Sequence, residues 1–459
     1  MSFSDLSKEI SKEISKNDKK KDGIYFTPHN YIIQLFNIIK SHLPPKDNLL
    51  ILEPSCGSCE MITILDKIDI DKKFKIKGIE LNKTIYNKIK DLTFENSSVE
   101  LINGDFLRHH YDIVDGDGDD KDGDDENYDN DEIDEIEKGK YDLIIGNPPF
   151  FVIKNDLFNK KYKNIKSYKK YFNGRPNIFI LFLIRCLKLL NIGGVLGLVL
   201  PKNFINCLYY DKVRNYINHK FKIIEIFHCQ GSNFIDTQQD IILMVIKRIN
   251  DTNTSIDNNK KFILSSCSNS FTIYNTVDNI VKLNELYANS KTMRDLNLNI
   301  SIGSVVWNQC KTILSDDKNH TRLIYNSDIK NNKLCQSKFS NSSKKNFIKR
   351  KGIIDIILII NRGYGNGTYK FNYCLIDDMK PYLIENHLIC INSVVMNKRI
   401  QTSKDEKEKR LLIEKLKDMY KKIIASLQNE KTKRFISLYF GNNAINTTEL
   451  LNILPVYGF

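Results

Sequence analysis

Residues 141–150 read YDLIIGNPPF, an apolar run that stops at two consecutive prolines. Leu143, Ile144 and Ile145 follow one another without polar alternation, the pattern of a strand buried on both faces of a parallel sheet. Pro148 and Pro149 then fix the backbone and remove two N–H donors, which makes a corner at the strand's end. Similar runs precede it at LLILEP (49–54), KIKGIEL (75–81) and VELINGDF (99–106). Others follow at GVLGLVLP (194–201), after a Gly-Gly turn, at IIEIFH (223–228) and at IILMVIKR (241–248). Helices are expected over 31–39 and 178–190. Apolar strands alternating with helices, with polar residues at the strand C-terminal ends, specify a doubly wound, mostly parallel α/β sheet. Ligands in such sheets sit at those ends.

Four of these ends carry residues suited to one cofactor pocket. Glu53 ends the first strand in EPSCGSC (53–59), where Gly57 permits close backbone approach. Glu80 ends the second and is placed either to accept bonds from ribose hydroxyls or to cap the surface. Asp105 ends the third, able to accept from the amino group of a cofactor's adenine, with Phe106 flanking that ring, or to cap a helix. No Gly-rich phosphate cradle followed by Lys-Ser/Thr is present, which argues against an ATPase. In Asn147-Pro148-Pro149-Phe150, the Asn147 side-chain oxygen and the Pro148 carbonyl both accept from a single –NH2 group. Held so, the amine aims its electron pair at a methyl donor, and the work is positioning and electrostatic preorganisation. Phe150 offers a flat apolar face to a base taken out of the helix. The plain alternative, a structural turn, is disfavoured by the strand before the tetrapeptide and the three loops upstream.

With these motifs the chain resembles the amino-methyltransferases of DNA, most closely the adenine-N6 family of the TaqI type. The resemblance implies a class I fold dependent on S-adenosyl-L-methionine, with a C-terminal α+β target-recognition domain and no required metal. It makes Asn147, Pro148, Pro149 and Phe150 the catalytic motif, and Phe234 of GSNF (231–234) a second aromatic against the flipped base. Tyr25, Thr27 and Pro28 of GIYFTP (23–28) look like the N-terminal cofactor segment. Glu53, Pro54, Ser55, Cys56 and Gly57 look like the first cofactor motif, with Glu80, Asp105 and Phe106 completing the site. SIGSVVWNQ (301–309), TRLIYNSDIK (321–330), INRGYGNGTY (360–369) and ELLNILPV (449–456) look like the target-reading half. The expected substrate is double-stranded DNA, with Arg350 and Arg362 as candidate readers and a separate cognate endonuclease as a partner. The front end before Gly23 is too short for a fused endonuclease domain. Two departures stand out: Cys56 and Cys59 form a C-x-x-C, and Phe150 stands where Tyr is frequent. Rival readings are a methyltransferase acting on RNA or on a protein glutamine amide, and a catalytically idle DNA-binding protein.

Composition bounds the rest. The chain has 459 residues, 41% hydrophobic and 27% charged, with a net charge of +13. Between 112 and 137 there are 15 acidic residues and one lysine, so about +27 remains on the rest of the chain. That excess fits a phosphate-backbone partner or a self-repelling soluble surface equally well. The stretch 112–139 has too few large apolar residues to fold and reads as a disordered insert. Its DGDGDDKDGDD does not complete a calcium loop with a twelfth-position Glu. The ten cysteines suggest reduced thiols in a cytoplasm-like compartment. The C-x-x-C could be a redox pair or half a zinc site, but no second pair is suitably spaced. No run is long enough to span a membrane. The expected layout is a peripheral extension (1–22), a catalytic domain (23–250), a target-recognition domain (251–459) with a long charged helix over 403–430, and a monomeric assembly.

Overall fold

A computed structural model describes residues 3–68, 70–108, 140–174, 177–229, 240–250, 257–265, 271–362, 371–440 and 445–459. The acidic insert 112–139, GSNF (231–234) and most of NRGYGNGTY (361–369) lie outside the described residues. The described chain forms two compact units. The first comprises Met1–Ile263 with Phe271–Val277, and the second Leu264–Ser270 with Asp278–Phe459.

The first unit is built on seven strands: β1 (Asn48–Glu53), β2 (Lys73–Glu80), β3 (Ser97–Asn103), β4 (Tyr141–Gly146), β5 (Leu190–Pro201), β6 (Phe221–Cys229) and β7 (Ile241–Arg248). Their order is β3-β2-β1-β4-β5-β7-β6. β3, β2, β1, β4 and β5 run parallel to their neighbours, and β7 is antiparallel to both β5 and β6. The strand order turns back on itself between β1 and β4. Crossovers leave to opposite faces there, so a crevice opens outside the C-terminal ends of those two strands. Glu53 and Asn147 stand on its two sides.

All six residues of β4 are buried, because helices cover both faces. On one face Ile32, Leu35 and Ile39 of the helix His29–Ile39 pack with Ile51, Leu143, Ile145 and Val199. On the other, Phe179, Phe182 and Leu183 of the helix Ile178–Leu189 pack with Leu52, Ile144 and Leu198. The Gly-Gly turn expected before the fifth strand is instead part of it: Gly193 at φ +80° and a register shift opposite Tyr141 and Leu143 absorb the glycines within the strand.

Three expectations are corrected. The N-terminal extension is not peripheral, since helices α1 (Asp5–Glu13) and α2 (Lys16–Asp22) bury Ser7, Ile10, Ser11 and Lys19. Its apolar stripe is thin, but the buried polar groups are hydrogen-bonded: Ser7 Oγ to Ser58 Oγ at 2.6 Å, and Lys19 Nζ to Ser11 Oγ at 2.7 Å. The first unit also runs past residue 250. Asn259 accepts from Ile223 N and donates to Phe221 O, while Phe262 and Tyr274 join the core beneath the sheet. Finally, the helix expected over 403–430 ends at Gln428. Asn429 leaves helical geometry and its side chain caps a separate helix, Glu430–Tyr439.

Considered by itself, the second unit holds two four-stranded sheets, one two-stranded sheet and the helices just described. Leu358, Ile359 and Ile360 lie at the centre of one sheet, paired on both sides with antiparallel neighbours. Among the described residues no helix is long and apolar enough to cross a membrane.

Candidate active site

The loop after β1 is shaped by two left-handed residues, Gly57 (φ +52°) and Cys59 (φ +59°). This brings Gly57 N to Glu80 Oε2 at 2.9 Å, while Asn82 N donates to Glu80 Oε1 at 2.7 Å. Glu80 therefore clamps the ends of β1 and β2 together. Burial pushes its carboxyl above the ordinary value, against the pull of the N–H groups of Asn82, Gly57 and Leu81. Glu53 lies deeper, 3% exposed, and its Oε2 has no partner among the described residues. Burial first, then Cys59, Glu80 and Glu60, raise its carboxyl well above the ordinary value. An orphaned buried carboxyl beside two further acids is a site that favours a cation.

On the other side of the crevice, Asn147 Nδ2 donates to the Tyr25 carbonyl and to Thr27 Oγ1, each at 3.0 Å. Ser55 Oγ donates to the Asn147 carbonyl at 3.2 Å. Both amide hydrogens are thus committed, and Oδ1 has no protein partner among the described residues. Gly23 is pressed against the tetrapeptide: an added Cβ would fall 2.8 Å from Pro149 Cβ and 3.0 Å from Phe150 N. Pro54 packs on Gly146 in the same way, with its Cδ 3.3 Å from where a Cβ would stand. The three motifs at 23–28, 53–59 and 147–150 interlock as one assembly. Phe150 is half-buried, edge-on to Phe179 with ring centroids 5.9 Å apart.

Asp105 stands at the end of β3 with Oδ2 3.0 Å from Lys161 Nζ and 3.5 Å from the Tyr162 hydroxyl. Neither partner was legible from local sequence, because they lie more than 50 positions downstream. The Lys161 ammonium is held above its ordinary value, its bonds to Tyr162 and Asp105 outweighing the larger opposing effect of burial. Phe106 is a correction. Asp105 Oδ1 accepts from Leu107 N at 3.1 Å, a local turn that sends the intervening ring inward. Phe106 is 1% exposed, packed on Phe182 at 5.0 Å and under the Arg185 guanidinium at 5.2 Å, so it is core and does not flank the pocket. Phe234 lies outside the described residues. Thr27 and Pro28 are buried, and Thr27 meets Asn147 directly. Cys56 and Cys59 are buried free thiols, and the bond to Cys59, then burial, raises the Cys56 thiol far above its ordinary value. Among the described residues no group of three His, Cys, Asp or Glu is placed to hold a metal ion.

This pairing of a carboxylate-lined crevice with an Asn-Pro-Pro-Phe corner coincides with a family match. Residues 48–235 match the model of the Eco57I restriction-modification methylase. That stretch is similar to the restriction-modification methylases. The chain is 27% identical to Type II methyltransferase M.CvrRI of Paramecium bursaria Chlorella virus XZ-6E, over 85% of this chain and 88% of that protein. It is 28% identical to modification methylase CviBIII of Paramecium bursaria Chlorella virus NC1A, over 50% of each. Among solved structures, the DrdV–DNA complex has a TM-score of 0.49 at 13% identity, covering 98% of this chain and 57% of that one. The match covers β1 to β6, the crevice and the tetrapeptide, within a sheet of doubly wound order.

Proposed function

We propose that this protein transfers a methyl group from S-adenosyl-L-methionine to N6 of adenine in duplex DNA, the base being turned out of the helix. The observation that carries the reading is the fixed amide of Asn147. With Nδ2 committed to Tyr25 and Thr27, Oδ1 is left as the acceptor for an incoming –NH2. Accepting from the amine at Oδ1 and at the Pro148 carbonyl turns the nitrogen lone pair out of conjugation with the ring. Phe150 gives the base an apolar face, and the N6 proton leaves after transfer, so no ionised base is needed. Bound S-adenosyl-L-methionine supplies an electrophilic methyl on a sulfonium. The crevice fits it: the orphaned Glu53 carboxyl suits a cationic group, Glu80 suits ribose hydroxyls, and Asp105 suits the adenine amine. Pro54, Ser55, Cys56 and Gly57 would line the cofactor with Tyr25, Thr27 and Pro28. The second unit, basic over 329–351, is the proposed target-reading half.

The reading is tested by incubating the protein with labelled S-adenosyl-L-methionine and, separately, duplex DNA, RNA and a protein extract. Products are then digested to nucleosides or amino acids. Label in N6-methyldeoxyadenosine is the expected result. Label in N4-methyldeoxycytidine, in RNA or in protein alone would overturn the substrate assignment.

A further inference from the structure

Three residues after the tetrapeptide the sequence runs KNDLFNKKYKNIKSYKK (154–170), seven lysines against the single acid Asp156. It forms helix Asn155–Lys161 followed by the 3-10 segment Lys163–Tyr171. Phe158, Tyr162, Ile165 and Tyr168 are buried and anchor the segment in the core beneath the sheet. Its start is joined to the helix Ile178–Leu189 by the Val152–Asn177 bridge and by Ile178 N donating to Phe151 O. Its middle is tied to the end of β3 by the Lys161–Asp105 ion pair. The segment is therefore a held surface beside the crevice and not a loose arm.

Its outer face is cationic and unbalanced. Lys154, Lys160, Lys166, Lys169 and Lys170 are exposed, and among the described residues Lys154, Lys160 and Lys166 have no carboxylate partner. Several lysines elsewhere in the unit are matched, among them Lys88 by Glu9 and Glu13 and Lys46 by Asp142. Leu157, 50% exposed, lies in sequence between Lys154 and Lys160, and Val152, 55% exposed, lies two residues before Lys154. Ammonium groups act as point charges on phosphates and carry no base information, and apolar side chains among them suit sugar carbons.

Resting on the DNA reading above, we propose that 154–170 is the phosphate-gripping surface of the catalytic unit, binding the DNA backbone beside the base presented to Asn147. It sets affinity and placement, and leaves sequence choice to other residues.

The test is the full-length triple variant K154Q/K160Q/K166Q against wild type. Binding to a random-sequence duplex is measured across a salt series, alongside S-adenosyl-L-methionine affinity and the melting temperature. Each lost phosphate contact should flatten the slope of log K against log salt by about 0.9, so a total change of about 2–3 is expected. The duplex Kd should rise roughly ten- to hundredfold at low salt, with cofactor affinity and melting unchanged. A variant with the wild-type slope and Kd overturns the inference while the DNA reading stands. Wild type showing no salt-dependent duplex binding overturns both, and the two failures are told apart by the wild-type curve alone.

Discussion

The Asn147 amide has two interchangeable-looking ends, and only one of them can accept a hydrogen bond from an amine. Tyr25 and Thr27 decide which end faces the crevice by accepting both amide hydrogens. Replacing Thr27→Val keeps the shape and removes one of those acceptors. The expected outcome is a drop of about tenfold in single-turnover methylation at saturating cofactor, the loss of about one hydrogen bond. A wild-type rate in that variant would show that the amide is oriented by something else. Glu53 leads to a pH prediction. Its carboxyl is raised well above the ordinary value of 4.5, chiefly by burial, so the folded protein holds that proton more tightly than the unfolded chain. The stability it contributes is present below that value and is lost as pH rises through the raised value; Glu80 acts in the same direction. In melting scans taken upward in pH from the ordinary carboxyl value of 4.5, wild type should lose stability more steeply than Glu53→Gln. Superimposable pH profiles would count against the buried-acid account.

At the scale of elements, the parallel strands were legible because both of their faces are buried, and runs such as Leu143-Ile144-Ile145 have no other economical reading. Glu53, Glu80, Asp105 and Asn147 followed because each stands at a strand's C-terminal end. What stayed hidden depends on partners distant in sequence. Helix α1 is held to Ser58 through Ser7, a polar contact that hydrophobic periodicity cannot register. Lys161 meets Asp105 only once the chain has folded, and the inward turn of Phe106 is a matter of backbone direction. The late boundary of the first unit has the same origin. Arg214 is 0% exposed and donates to Phe204 O at 2.7 Å, Cys207 O at 2.8 Å and Thr272 O at 2.5 Å, so one side chain holds the 271–277 segment to the sheet domain. Arg214→Met keeps much of the volume but leaves the Phe204 and Thr272 carbonyls without their donor, while the Cys207 carbonyl keeps Tyr210 N. The expected cost is about 3 kcal/mol or more, since each unpaired buried group costs about 1–3 kcal/mol. Urea unfolding should register this as a lower midpoint with new protease sensitivity near residue 270. A midpoint equal to wild type would mean that the segment is held by its apolar contacts alone.

Over the whole molecule, charge is the property that local geometry does not capture. The net +13 is the residue of about +27 after 112–137 contributes −14. On the proposed DNA reading, an acidic stretch lying in sequence between β3 and β4 is expected to compete with DNA for cationic surface, an effect that falls off over a Debye length of about 10 Å at 0.1 M salt. Removing 112–137 should therefore tighten binding to non-cognate duplex at about 0.05 M salt, with the advantage fading toward about 0.5 M as screening sets in. Cofactor affinity should not follow, because Glu53 and Glu80 end strands that the deletion does not touch. Filter binding of a random duplex across a salt series, with calorimetric cofactor binding as the parallel measurement, separates the two effects. If the deleted form binds duplex no more tightly at low salt, the acidic stretch does not compete with DNA. The cationic excess would then have to be read as a solubility feature of the surface.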